Sequence, residues 1–280
     1  MPSESVVTSS VVAQTSKARR RRLRAGWGHA RTAVLPLLVL CFIGLAWEAA
    51  VRYFHIPEYI LPAPTRIWEA SVASHNVMLD NMWSTLRTTI FGFIASIVVS
   101  LPLAVLIAAS PLLSNSIYPL LVFTQSVPKV AIAPLIVVAI GADEVARVLV
   151  AFLIGFFPLV ISIATGLLVA PPELIELSRS LRATKMQELL RVRLPYATPF
   201  VFSGLKLSIT AAVTGAVVGE FVAADKGLGY QILSATAFFK TAYAFGAVVL
   251  LSVIGIVLFQ AVVLTERLLF PWSIDESPKL

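Results

Sequence analysis

Charge is scarce in this chain. Of 280 residues, 13% are Asp, Glu, Lys or Arg and 58% are hydrophobic, whereas soluble domains run nearer a quarter charged and half apolar. The scarcity is also uneven, because residues 88–128, 148–172 and 241–265 hold no charged side chain. Uncharged runs longer than about eighteen residues cannot make an aqueous surface but do match the hydrocarbon of a bilayer. The sequence therefore predicts an integral membrane protein.

Other absences narrow its chemistry. Cys41 is the only cysteine, which excludes an intrachain disulfide, and within its apolar run it reads as a small buried hydrophobe. His29, His55 and His75 are scattered, with no helical pairing to chelate a metal. No G-x-x-x-x-G-K-[ST] phosphate loop occurs, so any ATP must be handled by another chain. A membrane-embedded enzyme would gather His, Asp or Cys at one face, and no such cluster is visible. A self-sufficient secondary transporter, the alternative reading, would usually show more intramembrane ionisable groups and an inverted repeat; neither is apparent. The chain is thus expected to be non-catalytic and to carry no cofactor and no metal.

What charge there is has been gathered. The net charge is +7, and seven basic residues fall between Lys17 and Arg31, just before the first apolar run. That placement suits a cytoplasmic anchor better than a nucleic-acid surface. The apolar run is too long for a signal peptide and lacks a small-x-small cleavage site, so an uncleaved span is expected.

The resulting organisation is all-α and polytopic. A basic tail (1–33) precedes a first span (34–54) that carries Glu48. An extracytoplasmic or interfacial segment (55–83) is expected to form an amphipathic surface helix after Pro64. Spans two to six cover about 88–109, 117–140, 148–170, 199–222 and 241–265, with a tight turn at SPLLSNS and a short tail at 271–280. The basic residues place the 17–31 cluster, the loop before span five, Arg267 and Lys279 on the cytoplasmic side, with both termini inside.

The loop between spans four and five has a pattern of its own. Charges fall at 173, 176, 179, 182, 185, 188 and 191, and a spacing of three drifts about 60° per step round an α-helix. One long helix would therefore be charged on every side, and two short helices with a break fit better. The first opens at Pro171-Pro172, with Glu173 and Glu176 early and Arg179 and Arg182 late, as the helix dipole prefers. The second opens at Thr184 with Gln187 three residues on, a capping-box signature, and Pro195 is expected to stop it. Such a bracket is either a surface loop folded on its own protein or a docking element for a cytoplasmic partner.

Within the spans, Lys129 stands beside Pro128 and before Pro134. It either lines an aqueous path through the bundle and draws anions or binds the carbonyls freed by the prolines. Glu220 and Glu48 either face the pathway or pair with a base inside the bundle. Gly215 and Gly219, four apart, make span five a candidate dimer interface.

ELSRSLRATKMQELLRVRLPYATPFVFSGLKLS resembles the EAA motif of ATP-binding-cassette importer permeases. Glu176 matches the acid, Leu177 and Ser178 the two alanines, and Leu194-Pro195 the closing pair. Arg182 stands where the pattern has glycine. LPAPTRIW, TLRTTIFGF, QSVPKVAIAPLIVVAIG, FFPLVISIATGL and GAVVGEFVAADKGLGY are similar to the nitrate, sulfonate and taurine branch, and RSLRAT resembles its pyrimidine-precursor members.

The resemblance implies a type I importer fold with six spans, its permease domain over 84–270 and a coupling loop at 171–198. It also implies a permease dimer (with itself or a close paralogue), two cytoplasmic ATPase subunits, an extracytoplasmic binding protein and a bacterial inner membrane. Glu176, Leu177, Ser178, Arg182, Ala183, Leu194 and Pro195 are then the expected ATPase-facing or hinge positions.

Overall fold

A computed structural model describes residues 35, 36 and 38–271. The expectations for the two tails, 1–33 and 272–280, and for the first residues of span one lie outside the described residues. The described residues divide into two compact units at Arg66.

The first unit contains helix α1 (38–53). Glu48 on α1 accepts from Arg52 Nε at 2.7 Å, from the Thr65 backbone N–H at 3.1 Å and from Thr65 Oγ1 at 2.9 Å. Glu48 thus pairs with Arg52 one turn along the same helix. Cys41, expected to be buried, is exposed on α1; a thiol on an apolar helix needs no protein cover when lipid is the solvent.

The regular structure of the second unit's described residues is all helical, joined by short turns. After α2 (Pro64–Ala73) come α3 (His75–Ala109), α4 (Pro111–Phe123), α5 (Ala133–Ile140), α6 (Glu144–Leu168), α7 (Pro172–Ser180), α8 (Lys185–Glu188), α9 (Leu194–Ala223), α10 (Leu228–Ala237) and α11 (Thr241–Leu269). Among the described residues, four stretches are long and apolar enough to cross a membrane: His75–Ala109, Glu144–Leu168, Lys185–Val222 and Thr241–Leu269. The bent pair α4–α5 makes a fifth if it counts as one span.

Three expected boundaries move. The segment 75–83 joins α3, which leaves only α2 as the short helix after Pro64. The tight turn shrinks to Ser110, whose extended backbone is followed by Pro111 in the first turn of α4; proline suits that position because its missing N–H would have been unpaired anyway. Span three, expected to be continuous over 117–140, is bent by 85° between α4 and α5. Two 3-10 turns, Thr124–Ser126 and Lys129–Ile132, flank Pro128 there.

The core forms where α3, α6 and α9 cross. Most buried residues of α3 are small or hydroxylic, and Thr85, Thr89, Gly92, Ser96, Ser100 and Ala104 recur every three or four positions, so a single stripe faces inward. Helix backbones can approach closely along such a stripe. Ser96 Oγ reaches the Phe152 carbonyl at 3.0 Å, and Ser100 Oγ reaches that of Phe156 at 3.3 Å. Leu159, Val160, Ile163 and Leu167 of α6 fill the apolar part with Ile107 and Ala197.

Gly215 and Gly219 belong to this crossing. A Cβ on Gly215 would lie 2.7 Å from Ala151 Cα, and one on Gly219 would lie 3.1 Å from Arg147 Cα. Their close approach is made with α6 of the same chain. Along these two glycines, α9 therefore faces α6.

Candidate functional site

The charged loop folds into the expected pair of short helices. α7 begins with Pro172 at its first position and Glu173 in its first turn, and it ends with Arg179 in its last. It closes in a Schellman arrangement: the Ala183 N–H donates to the Ser178 carbonyl at 3.0 Å, and the Arg182 N–H donates to the Arg179 carbonyl at 2.9 Å. That closure requires a left-handed residue after the cap, usually glycine, and Arg182 supplies it with φ +57°. The turn keeps the glycine-type backbone although the glycine is absent.

α8 is capped as the sequence predicts. The Gln187 N–H donates to Thr184 Oγ1 at 3.3 Å, and the Thr184 N–H donates to Gln187 Oε1 at 2.9 Å. Pro195 does not end the second helix. A π-helical segment (Leu189–Arg193) carries the chain straight from α8 into α9, with Pro195 in the first turn of α9. The wider turn relaxes the ladder where the proline ring would otherwise clash with it.

One residue that sequence reasoning missed ties the bracket together. Glu188 is buried and accepts from Arg179 Nε on α7 at 3.1 Å and from Arg193 Nε at 2.9 Å. Arg193 Nη1 in turn donates to the Leu167 carbonyl near the end of α6 at 3.0 Å. A carboxylate shared by two guanidiniums and anchored to a neighbouring span makes a charge-assisted network. The available signal was that Glu188 is the only acid among the basic residues from Arg179 to Arg193.

The other bracket residues fall in two groups. Ser178 is buried, with its hydroxyl donating to the Ile175 carbonyl at 2.8 Å. Glu176, Leu177, Arg182, Leu194 and Pro195 are exposed, and Ala183 is half-buried. Leu174, Leu177 and Leu181 stand out at 44%, 57% and 75% exposure. With Arg191 and Pro195 they line a groove of about 410 Å³. An apolar groove bordered by Arg191 on an otherwise charged loop has the composition of a protein-docking surface.

The structure does not bring the other candidates together with this loop. Glu220 is 1% exposed. It accepts from Thr85 Oγ1 at 2.8 Å and from the Gly229 N–H at 2.7 Å, while Thr85 Oγ1 accepts from the Leu228 N–H at 2.8 Å and Asn81 Oδ1 accepts from the Gly227 N–H at 2.8 Å. Glu220 thus fastens the start of α10 to α3 and α9. Its carboxylate is enclosed, and Arg147 lies near enough to act on its charge. Gly227 has φ +114°, and a Cβ there would strike the Glu220 carboxylate, so the fastening needs glycine.

Lys129 is only half-buried, and its Nζ lies 4.8 Å from the centroid of the Phe157 ring. The ammonium faces an aromatic ring rather than the freed carbonyls.

Comparison with known proteins places this geometry. Residues 100–271 match the family described as binding-protein-dependent transport system inner membrane component. The chain is 35% identical to the riboflavin transport system permease protein RibX of Chloroflexus aurantiacus, over 94% of this chain and 97% of that one. It is 32% identical to the formylaminopyrimidine transport permease protein ThiX of Halalkalibacterium halodurans, over 86% and 96%. With the taurine transport system permease protein TauC of Escherichia coli the identity is 26%, over 91% and 96%. In fold it is similar to a chain of the MetNI methionine ABC transporter in an inward-facing conformation, with TM-score 0.61 and 23% identity, over 70% of this chain and 97% of that one. A chain whose described residues are helical, with several apolar spans, a charged two-helix bracket leading into α9 and these relatives, belongs to the inner-membrane permease family of binding-protein-dependent transport systems, as the permease subunit of an ABC importer.

Proposed function

We propose that two copies of this permease, or one copy and a close paralogue, form a pathway that two ATPase subunits drive from the cytoplasm through the α7–α8 bracket. An extracytoplasmic binding protein delivers the solute. The cargo belongs to the nitrate, sulfonate and taurine class or to the pyrimidine and vitamin-precursor class. The protein sits in a bacterial inner membrane with both termini inside, and ATP is hydrolysed by the partner subunits.

The observation that carries this reading is a rigid bracket with an exposed apolar ridge. Leu174, Leu177 and Leu181 are presented on a helix locked by a Schellman closure, and Glu188 and Arg193 tie it to α6 and α9. A lever of this kind transmits displacement that a flexible loop would absorb. Glu176 supports the same reading: it is exposed on α7 and free to meet a basic partner.

Two experiments test it. A cysteine at Leu181 or Ala183 is expected to crosslink to the ATPase subunit in the assembled transporter. Glu176→Lys is expected to leave insertion and expression unchanged while ATP hydrolysis no longer supports uptake. Normal uptake by the Glu176→Lys variant at normal expression overturns the assignment of Glu176.

A further inference from the structure

The third span is broken where a membrane protein can least tolerate it. α4 and α5 meet at 85°. Gln125, Ser126, Val127 and Pro128 are exposed at the break, with 3-10 turns in place of the α-helical ladder. At bilayer depth, irregular backbone survives only against protein or a water-filled cavity.

Lys129 reports the depth. Its Nζ lies over Phe157, and Phe157 sits halfway along the membrane-crossing helix α6 (Glu144–Leu168). At about 1.5 Å per residue, roughly 15–20 Å of helix extends to either side, so the ammonium lies near the bilayer midplane. Among the described residues it makes no ion pair and no hydrogen bond, and the Phe157 face is the partner it has. A cation at that depth is costly toward lipid and marks a substrate or ion pathway. An acid in place of Phe157 would cancel its field, whereas a ring face holds the ammonium in position and leaves its charge available.

We propose that the break at Thr124–Lys129 is a cargo contact on the translocation pathway, where the Lys129 ammonium meets an anionic oxygen of the solute, as in a sulfonate or carboxylate. Gln125 and Ser126, exposed on the preceding turn, add an amide and a hydroxyl for the same oxygens. Phe157 is a positioning residue that acts through Lys129. The proposal rests on the permease reading and adds to it the chemistry and place of recognition.

The test uses the full chain in lipid nanodiscs, with Cys41→Ser and a single Ser126→Cys. Two methanethiosulfonate probes label it, one bearing an ethylsulfonate and the other an ethyltrimethylammonium group, each rate being divided by that probe's rate with free cysteine. The sulfonate probe is expected to react about tenfold faster or more, the scale on which a focused field raises encounter rates. Lys129→Met is expected to abolish the preference and Lys129→Arg to keep it. A monodisperse size-exclusion profile of the loaded nanodiscs, recorded for each variant, confirms that it is folded and inserted.

Equal normalised rates with Lys129 present overturn the proposal. So does failure of both probes to reach Ser126→Cys, which would mean that protein, such as a second copy, covers the break. A preference that survives Lys129→Met overturns it too. Labelling needs no ATPase, so the result is independent of whether α7 docks one.

Discussion

Arg182 holds a backbone conformation that glycine adopts without penalty. The left-handed region costs an ordinary residue about 1 kcal/mol, and the Schellman closure of α7 imposes it here at φ +57°. Arg182→Gly is therefore expected to preserve transport and to stabilise the bracket by up to about 1 kcal/mol. Arg182→Val, branched at Cβ, is expected to destabilise it, as read by proteolysis between α7 and α8. Glu188 is the opposite case, an acid whose two guanidinium partners leave it no substitute. Glu188→Ala would strand Arg193 beside the end of α6 and is expected to cost about 3 kcal/mol, the low end for breaking a buried pair because Arg179 remains exposed. Thermal unfolding in detergent measures the loss, and Glu188→Gln should fall between the two.

At the scale of elements, the three crossing helices have little room for change. α9 meets α6 through Gly215 and Gly219, and any side chain at Gly215 would meet the α6 backbone itself. Gly215→Leu is expected to push α9 off α6 and reduce the folded yield in membranes, with Gly215→Ala milder. A fluorescence-detected size-exclusion profile separates those outcomes. If Gly215→Leu eluted like the parent, the intramolecular role of the glycine would be lost. The bracket is governed by local rules instead: a proline start, a Schellman stop and a capping box, each complete within a few residues. This is why its two helices were legible before any fold was known. The break in span three was only half legible. Pro128 and Pro134 announced irregularity, but the 85° bend depends on how α4 and α5 lie in the fold.

For the whole molecule, the division of labour follows from what the chain contains. It has apolar spans, a charged two-helix bracket and no phosphate loop, which fits a permease that works with other subunits. In the proposed function, coupling is expected to run from the exposed leucines of α7 through Glu188 and Arg193 into α6 and α9, the helices that form the core. On this route, Glu176→Lys separates hydrolysis from uptake without unfolding the protein, which an ATPase assay run beside an uptake assay detects.

Membrane residence, the all-helical class and the bracket were determined by sequence alone. Uncharged length is a property of a linear run, and caps and turns are satisfied by neighbours a few residues away. Which polar groups the spans enclose was decided only by the tertiary structure. Gly215 could have faced a second subunit, Glu220 a pathway and Lys129 its own carbonyls. Helical periodicity says which residues share a face but not what that face meets. Glu220 found Thr85 and Gly229, and Glu188 found Arg193, because contacts across helices are set by how the helices pack.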